Sequence, residues 1–373
     1  MTINYLDSKR LQGLSTDTKP TSAQTNSIFI ETDTGKLKWE SNNWGNSGGW
    51  VELGRFSGSA TTLDVASLAN KRYLMVLAYA PSLSTAATSR IKLNNDGAAN
   101  RYATRISYNS GADDATSYIN YDALEAKNGG ETELGWFDVG YFGNYSTKEK
   151  LNQAWNVSRN GTGAGLAPTR QERVGKWIET TNPINRITYF FPAGGGITYG
   201  TGSEMVVLGW DPADTHTTNF WTELASVDWS SGGTIDSGTF TAKKYLWVQG
   251  WWKGNDSVYI RANNDNALNY SWRYSSNGVK PDGTASSISG FTSNFGFDSN
   301  IHFINMFIIN NSANEKLVIS HTNNQNTVGA GYAPVRFEAV SKWANTSSQI
   351  TSLKFMTGSG NFTGGTIKVY GSD

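Results

Sequence analysis

The chain contains one fifteen-residue stretch twice, as GAGLAPTRQERVGKW at residues 163–177 and as GAGYAPVRFEAVSKW at residues 329–343. Ten of the fifteen positions are identical, and the two copies begin 166 residues apart. This spacing is that of a whole domain, because solenoid repeats have periods of roughly 20 to 50 residues. Any fold assigned to the chain must therefore accommodate a tandem duplication.

The similarity between the two copies extends well beyond this stretch. The offset between matched segments falls from 171 to 162 residues along the chain, because copy two has the shorter loops. The other matched pairs are WVELG (50–54) with WTELA (221–225), TLDVASLANKRYL (62–74) with TIDSGTFTAKKYL (234–246), IKLNNDGAANRY (91–102) with IRANNDNALNY (260–270), and GSEMVVLG (202–209) with GGTIKVYG (364–371). We therefore predict two duplicated domains, at residues 54–212 and 213–373.

Each copy has the pattern of antiparallel β-structure. Short runs rich in Val, Ile, Tyr, Trp and Thr are broken about every 8 to 12 residues by Asn, Gly, Asp or Ser. We predict an all-β fold with two tandem antiparallel β-sandwich domains of jelly-roll type, and a hairpin at residues 260–275. Only STKEKLNQAW, residues 146–155, has helical character, and it shows no counterpart of that character in copy two.

Residues 1–49 have no counterpart in copy two, and residues 1–53 are predicted to serve anchoring and assembly. The first 25 residues are polar and lack helical periodicity, which predicts an extended arm. The stretch SIFIETDTGKLKWE, residues 27–40, alternates apolar positions around an Asp-Thr-Gly turn, which predicts a β-hairpin. Four apolar positions share one face of this hairpin: Ile28, Ile30, Leu37 and Trp39.

Composition limits the classes of partner. The formal net charge is zero and no basic run occurs, so nucleic acid, which requires clustered Lys and Arg, is not an expected partner. The chain has no cysteine, which excludes disulfides, zinc–thiolate sites and thiol catalysis. It has neither a signal-like apolar segment at the N-terminus nor a run of about 18 apolar residues, so we expect no ordinary export signal and no membrane insertion.

Catalytic motifs are not recognisable in the sequence. Neither GxSxG nor the phosphate-binding GxxxxGKS/T pattern occurs. The acid pairs at residues 113–114 and at positions 131 and 133 suggest the two carboxylates of a glycoside hydrolase, but solvated loops are the preferred interpretation. The histidines stand in no catalytic or metal-binding spacing: His216, His302 and His321. We therefore expect no enzyme activity, no cofactor and no metal site.

The Asn-Asn-Asp triplets at residues 94–96 and 263–265 permit two interpretations. Their oxygens are of the kind that Ca²⁺ prefers. Asn and Asp also initiate tight turns and tolerate left-handed backbone, and Gly97 directly follows the first triplet. A turn is the preferred interpretation.

The tryptophans form two groups. Trp177 matches Trp343 and Trp50 matches Trp221, which predicts that these four rings fill the cores of both copies. Three others have no Trp partner in the other copy and are candidates for a glycan platform or, preferably, a domain or subunit contact: Trp44, Trp251 and Trp252. Since adjacent strand residues point to opposite faces, at most one of the last two is expected in the core.

The duplicated stretch also carries a charged face. Arg336, Glu338, Val340 and Lys342 alternate along one face of a predicted strand, and copy one repeats the same four residue types. Arg and Glu two positions apart predict either a repeated interface contact or a solvent-facing ion pair of at most about 1 kcal/mol. Arg336 and Glu338 are therefore candidate contact residues, and both alternatives stay open.

Three stretches together resemble structural proteins of marine tailed phages and related viruses. They are the N-terminal KRLQGLSTDTKPT, the hairpin NSIFIETDTGKLKWES, and the pattern R-x-E-x-V-x-K-W that continues into NTSSQITSLKF and GSGNFTGGTIKVYG. The FIETDTGKLKW piece is similar to a short β-unit near the attachment end of tail-fibre and other virion appendage proteins. The duplicated domain is similar to sandwich modules of virion proteins, which imply no catalytic residues.

The resemblance implies a virion structural protein that is assembled in the host cytoplasm and exposed outside it. A fibre, spike or decoration protein that contacts host glycans is the leading expectation, and a coat (capsid) protein whose two sandwiches tile the shell is the alternative. Its partners would be itself, as a homo-oligomer and by likeness to fibres a trimer, other virion proteins and host surface glycan. A carbohydrate-binding module or carbohydrate-active enzyme is the rival, because the sandwiches are rich in aromatic residues and have unmatched Trp.

Overall fold

The structure, a computed structural model, describes residues 4–7, 10–13, 16, 28–31, 37–39, 49–109, 118–127, 135–192, 196–212, 214, 218–254, 257–278, 281–293 and 300–373. All regular secondary structure in these ranges is β-strand, which confirms the all-β prediction. Within the same ranges, no helix is long and apolar enough to cross a membrane.

A small sheet is formed by the first four strands in chain order, β1 (Asn4–Asp7), β2 (Arg10–Gly13), β3 (Ile28–Glu31) and β4 (Leu37–Trp39). Strands β2 and β3 are parallel, whereas β3 and β4 pair antiparallel with Ile28 opposite Trp39. The two strands of the predicted hairpin are thus present, and its turn at residues 32–36 lies outside the described residues.

Residues 51–210 form two sheets from twelve strands of the described chain. These strands are β5 (Val51–Ala60), β6 (Thr62–Val65), β7 (Tyr73–Ala80), β8 (Ser89–Leu93), β9 (Tyr102–Tyr108), β10 (Tyr118–Tyr121), β11 (Leu124–Lys127), β12 (Trp136–Gly143), β13 (Lys150–Ser158), β14 (Thr169–Trp177), β15 (Ile187–Phe190) and β16 (Tyr199–Trp210). Sheet 1 has the order β5-β16-β7-β12-β13-β14-β9-β10, and a four-stranded sheet has the order β6-β15-β8-β11. The predicted boundary between residues 53 and 54 falls within β5.

Residues 222–372 also form two sheets from twelve described strands. These are β17 (Thr222–Trp229), β18 (Thr234–Asp236), β19 (Tyr245–Gly254), β20 (Val258–Ala262), β21 (Tyr270–Ser276), β22 (Gly283–Ile288), β23 (Phe291–Thr292), β24 (Asn300–Ile309), β25 (Lys316–Asn324), β26 (Val335–Trp343), β27 (Leu353–Thr357) and β28 (Phe362–Ser372). Sheet 2 has the order β17-β28-β19-β24-β25-β26-β21-β22, and the smaller sheet has the order β18-β27-β20-β23. Counted from β5 and from β17, the order of strands is the same in both halves. All strand pairs in both halves are antiparallel.

Two sequence predictions are wrong in detail. The segment at residues 146–155 is not helical, because it continues into β13, where buried and exposed side chains alternate from Lys150 to Ala154. It does have a counterpart, since Glu149-Lys150-Leu151 matches Glu315-Lys316-Leu317 at the start of β25. The hairpin predicted at residues 260–275 is also absent, because β20 and β21 belong to different sheets.

Each half has a core between its large and small sheets. Trp177 and Trp343 occupy equivalent places in these cores, each stacked on a tyrosine, Tyr102 or Tyr270, at a ring distance of 6.2 Å. Both rings are almost fully buried, which confirms their predicted core position.

The first core also contains a charged network that has no equivalent among the described residues of the second core. Arg173 donates two hydrogen bonds to Asp138, at 2.7 and 2.6 Å, and the Tyr189 hydroxyl donates to the same carboxylate at 2.7 Å. Strand pairing places Ile304 of β24 at the position that corresponds to Asp138 of β12. The second half thus has the same strand order without this network.

A third hydrophobic cluster joins the two halves. It is formed where the outer faces of sheet 1 and sheet 2 pack together, and its buried members are Met75, Leu77, Tyr79, Phe137, Val139, Val157, Val206, Leu208, Phe220, Trp221, Tyr245, Phe307, Ile309, Leu317, Ile319 and Val340. Trp50 packs against this cluster and Trp221 belongs to it. The prediction that these two rings fill the cores between sheets is therefore wrong, because they lie on the outer faces.

Candidate functional site: the pocket between the two large sheets

The two large sheets meet through opposite ends. We call the end of each sheet that contains Arg170 or Arg336 its arginine end, and the end that contains Lys176 or Lys342 its lysine end. In sheet 1 the exposed fraction of the side chain is 1% for Arg170 and 47% for Lys176. In sheet 2 it is 60% for Arg336, and Lys342 is fully buried. The arginine end of sheet 1 therefore packs on the lysine end of sheet 2.

Arg170 is the central charged residue of this contact. Its Nε and Nη2 atoms donate to the two carboxylate oxygens of Asp282 at 3.0 and 3.1 Å. Its Nη1 atom lies 3.1 Å from Glu172 and 3.8 Å from Glu338. Although burial alone would lower the pKa of Arg170, the hydrogen bond to Asp282 and the adjacent carboxylates raise it. The guanidinium is thus charged and links both halves.

Glu172 and Glu338, the two glutamates of the duplicated stretch, form a hydrogen-bonded pair across the contact. Burial, followed by the charge of Glu172, raises the pKa of Glu338 to about 7. Burial also acts to raise the pKa of Glu172, but His321 and Arg170 outweigh it, so that this pKa is below its ordinary value. At pH values below about 7, protonated Glu338 therefore donates to ionised Glu172.

A pocket of about 480 Å³ opens beside this pair. Its aromatic walls are Trp155, whose ring centroid lies 4.7 Å from that of His321, and the half-exposed Phe303. Its polar lining residues are Arg105, Ser107, Gln153, Glu172, Arg173, Asn305, His321, Thr322, Asn323, Arg336 and Glu338. Aromatic walls with several amide and charged groups fit a polar ligand such as a sugar.

The two carboxyl groups do not have the geometry for glycoside hydrolysis. That reaction uses carboxyl groups about 5 to 9.5 Å apart on either side of the scissile bond, whereas Glu172 and Glu338 are hydrogen-bonded to each other. Among the described residues, no group of three or more His, Asp or Glu residues is placed to hold a metal ion. The chemistry that the pocket offers is hydrogen bonding and stacking.

The structure separates the predicted contact residues. Arg336 pairs with Glu338 at 3.2 Å, and both line the pocket. Trp251 is 44% exposed at the arginine end of sheet 2, whereas Trp252 is fully buried against His302 and Phe355 and has no surface to offer a ligand. The expected alternation between the faces of β19 is confirmed. The other candidates, Trp44, His216 and the acid pairs at 113–114 and at 131 and 133, lie outside the described residues.

The Asn-Asn-Asp triplets are turns. Asn94, Asn95, Asn263 and Asn264 all have left-handed backbone, with φ between 50° and 56°. The aspartates that follow accept hydrogen bonds from the core tryptophans: Trp177 Nε1 donates to Asp96 at 2.8 Å, and Trp343 Nε1 donates to Asp265 at 2.7 Å. The triplets thus connect the small sheet to the large one.

Sequence reasoning did not find the residues that complete this site. Asp282 lies 112 positions from Arg170, and neither Trp155 nor His321 stands in a motif. One signal was available: β7 reads YLMVLAYA, a continuous apolar run, which indicates a strand buried on both faces. That pattern predicts that something covers the outer face of sheet 1, although it does not identify what.

Comparisons with known proteins do not identify a family. No family model and no curated protein matches the chain. Among solved structures, it is similar to the attachment invasion locus protein Ail of Yersinia pestis, with 7% identity, a TM-score of 0.12, and coverage of 84% of this chain and 99% of that one. The flagellar hook junction protein FlgK from Burkholderia pseudomallei has 7% identity, a TM-score of 0.11, and coverage of 75% and 42%. Human GIVD cytosolic phospholipase A2 has 8% identity, a TM-score of 0.11, and coverage of 81% and 33%. Likenesses at these TM-scores carry no argument about fold or function.

Proposed function

We propose that the chain is a non-enzymatic structural protein of a virion, built from two tandem copies of one antiparallel sandwich domain that follow an anchoring region at residues 1–53. The observation that carries the proposal is the identical strand order of the two halves, which agrees with the duplicated sequence. Duplication of a domain doubles a surface without adding a catalytic centre, and this suits a protein that projects from or tiles a particle.

The contact between the arginine end of sheet 1 and the lysine end of sheet 2, which we call the joint, contains charged groups that support a structural role. Arg170, Asp282, Glu172 and Glu338 are engaged with one another, and the bidentate Arg170–Asp282 pair is buried. A catalytic acid or base has to reach a substrate, whereas the buried Arg170–Asp282 pair holds two halves of one chain together. Fibre, spike or decoration protein is the preferred assignment, and coat protein is the alternative.

Mass spectrometry of purified particles of the virus that encodes the chain tests this proposal. The chain should be present in fixed stoichiometry, with tens of copies for a fibre or spike and hundreds for a decoration or coat protein. Absence of the chain from purified particles would overturn the proposal. Deletion of residues 1–53 should abolish incorporation, and normal incorporation would show that this region is not the anchor.

A carbohydrate-binding role is a second candidate, because Trp155 and Phe303 form aromatic walls beside amide groups in the 480 Å³ pocket. Glycan arrays and polysaccharide hydrolysis assays test it, with Trp155→Ala as the variant. Glycan binding that this substitution abolishes would place the ligand in the pocket. Hydrolysis that is lost in Glu172→Gln or Glu338→Gln would overturn the non-enzymatic proposal.

A further inference from the structure

The joint between the halves leaves one complementary surface unused on each. It uses the arginine end of sheet 1 and the lysine end of sheet 2, whereas large apolar side chains stay exposed in the described chain at the lysine end of sheet 1 and at the arginine end of sheet 2. Contacts between unlike ends are heterologous, and a heterologous contact can be repeated from one molecule to the next.

The unused lysine end of sheet 1 is an apolar groove of about 750 Å³. Five residues that line the groove can be compared with the residues at the equivalent positions of sheet 2, and those residues are buried at the joint. The equivalent pairs are Trp50 and Trp221, Tyr73 and Tyr245, Tyr141 and Phe307, Leu151 and Leu317, and Val174 and Val340. Leu151 and Val174 are 62% and 51% exposed, whereas Leu317 and Val340 are 1% and 2% exposed. The groove is therefore equivalent to a surface that is covered elsewhere in the same chain.

The unused arginine end of sheet 2 is an apolar patch. Trp251, Ile301 and Phe303 are 44%, 47% and 46% exposed there. Strand pairing matches Trp251 with Tyr79 and Phe303 with Phe137, and both of the matched residues are buried at the joint. The patch thus corresponds to the part of sheet 1 that covers the lysine end of sheet 2.

The loop that leads into β14 contributes further polar contacts to the joint. Lys342 donates to the carbonyls of Arg159 and Gly161 at 3.0 and 2.9 Å, and the Gly163 amide donates to Glu315. The backbone amide of Ser287 donates to the carbonyl of Ala164, the hydroxyl of Ser271 to that of Leu166, and Nε of Arg273 to that of Pro168. The loop at residues 159–168 therefore docks onto the lysine end of sheet 2.

The corresponding loop of copy two shares two features of this loop and is exposed. Asn160 and Asn326 close the two loops in the same way, by donating to the carbonyls of Ala167 and Ala333 at 2.9 and 3.0 Å. The glycines that follow, Gly163 and Gly329, both have left-handed backbone. At the tip of the second loop the most exposed large side chains are Val328, at 77%, and Tyr332, at 61%. The loop of copy two therefore has an exposed tip that could dock onto another surface as the loop at residues 159–168 docks onto sheet 2.

Sheet 1 carries residues that match those receiving the first loop. Lys176 and Glu149 correspond to Lys342 and Glu315, and both are exposed. Arg105 corresponds to Arg273 in strand pairing. Asn120 corresponds to Ser287, and both have left-handed backbone, with φ of 58° and 53°. Most of the donors and acceptors of the internal joint thus recur at the unused end.

We propose that the chain associates head to tail with a second copy of itself, with the Trp251, Ile301 and Phe303 patch of one molecule covering the groove of the next. In this contact Lys176 donates to the carbonyls of Gln325 and Thr327, Glu149 accepts from the amide of Gly329, and Arg105 donates to the carbonyl of Pro334. The inference rests on one part of the proposed function, the duplication of the domain, and does not require that the chain is a virion protein. Repetition of the contact gives a closed ring or an open filament, according to the rotation between molecules.

Sedimentation velocity of the purified full chain over a range of concentrations tests the inference. The wild type should form assemblies larger than a dimer at high concentration. Leu151→Arg in the groove and Phe303→Asp in the patch should each raise the dissociation constant at least about tenfold. An equimolar mixture of the two variants should form heterodimers and nothing larger, because each retains one unblocked surface.

The control is Leu268→Asp, which changes a 64% exposed side chain outside both surfaces and should leave the association unchanged. Circular dichroism spectra that match the wild type establish that the variants are folded. A wild type that stays monomeric, variants that pair with themselves as readily as with each other, or a patch that binds glycan while the chain stays monomeric would overturn the inference. None of these outcomes depends on whether the chain is found in purified particles.

Discussion

The indole of Trp343 connects three parts of the second half. Its ring stacks on Tyr270 in the core, its Nε1 donates to Asp265, and the ammonium group of Lys316 lies 5.5 Å from its centroid. Trp177 makes the same three contacts with Tyr102, Asp96 and Lys150 in the first half. The repeated tryptophan therefore holds the small sheet, the large sheet and the turn between them in register.

Trp343→Ala should lower the free energy of unfolding by about 3 to 5 kcal/mol, because a large buried ring is replaced by a cavity. Trp343→Phe retains the stacking but loses the hydrogen bond to Asp265, so it should cost less. Chemical denaturation provides the measurement, with Trp251→Ala, at an exposed ring, as the control. A loss for Trp343→Ala no larger than that of this control would contradict the assigned role.

Glu338 makes the stability of the joint depend on pH. Its pKa of about 7 in the folded state is above the ordinary value of 4.5, so the native protein keeps a proton that the unfolded chain has released. Stability is therefore lost as the pH rises from about 4.5 to about 7, by on the order of 3 kcal/mol. The titratable and charged groups that face Glu338 are Glu172, Arg170, Arg336 and, opposite it on β25, His321.

Glu338→Gln should remove this loss, which thermal unfolding between about pH 5 and 8 can measure. His302 contributes in the opposite direction, because burial lowers its pKa to about 4 and its stability contribution increases as the pH rises towards about 6.5. The difference between the wild type and the variant is therefore the quantity to compare. Glu149→Gln serves as the matched control, and an unchanged difference across the range would show that Glu338 is not the group responsible.

At the scale of single strands, β12 and its counterpart β24 carry different types of buried residue at one equivalent position. Asp138 holds the buried Arg173 in the first half, whereas Ile304 packs at the equivalent place in the second half. Removal of one partner from a buried ion pair leaves a charge without compensation, while removal of both can be nearly neutral.

Asp138→Asn should therefore cost about 3 to 5 kcal/mol, measured by chemical denaturation. The double variant Asp138→Leu with Arg173→Met should recover a large part of this loss, because no buried charge remains. Glu149→Gln disrupts the exposed pair with Lys176 and should cost at most about 1 kcal/mol. A double variant less stable than Asp138→Asn would show that the first core requires the network.

The strands could be predicted from the sequence to very different degrees. The repeated motif located β14 and β26 well, because both copies carry Arg, Glu, Val and Lys at every second position. In β13 buried and exposed side chains alternate, but the buried positions include Lys150 and Asn152, and Lys and Glu, which are common in helices, obscured the strand at residues 146–155. The assignment of β20 and β21 to different sheets depends on the left-handed turn at Asn263 and Asn264, and sequence alone does not show which strands such a turn connects.

At the scale of the whole molecule, the contact between halves had no local signature. The residues of the site come from β9, β13, β14, β24, β25 and β26, and what brings them together is the packing of two surfaces. The charged face of the duplicated stretch was a correct starting point, since Arg170, Glu172 and Glu338 meet there. The sequence could not predict that Arg170 is buried whereas Arg336 is exposed, because the two copies carry the same residue types on this face.

The shared cluster should make the two halves unfold together. Calorimetry should give one transition for the wild type, with equal calorimetric and van't Hoff enthalpies. Leu317→Asp places a charge in the joint and should separate the transition into two, whereas Leu268→Asp should leave it single. Two transitions already present in the wild type would show that the joint is too weak to couple the halves.

The joint inside the chain and the proposed joint between chains differ in how they are brought together. The halves are covalently tethered, so they meet at an effective concentration of roughly millimolar order, and Ile309 and Ile319 add apolar contact there. At the equivalent positions of the groove the chain has Gly143 and Gln153, which makes that surface the weaker one. The chain should therefore remain dispersed when it is dilute and assemble only where many copies are gathered, so that crowding at a nucleation site, not folding, determines when assembly begins.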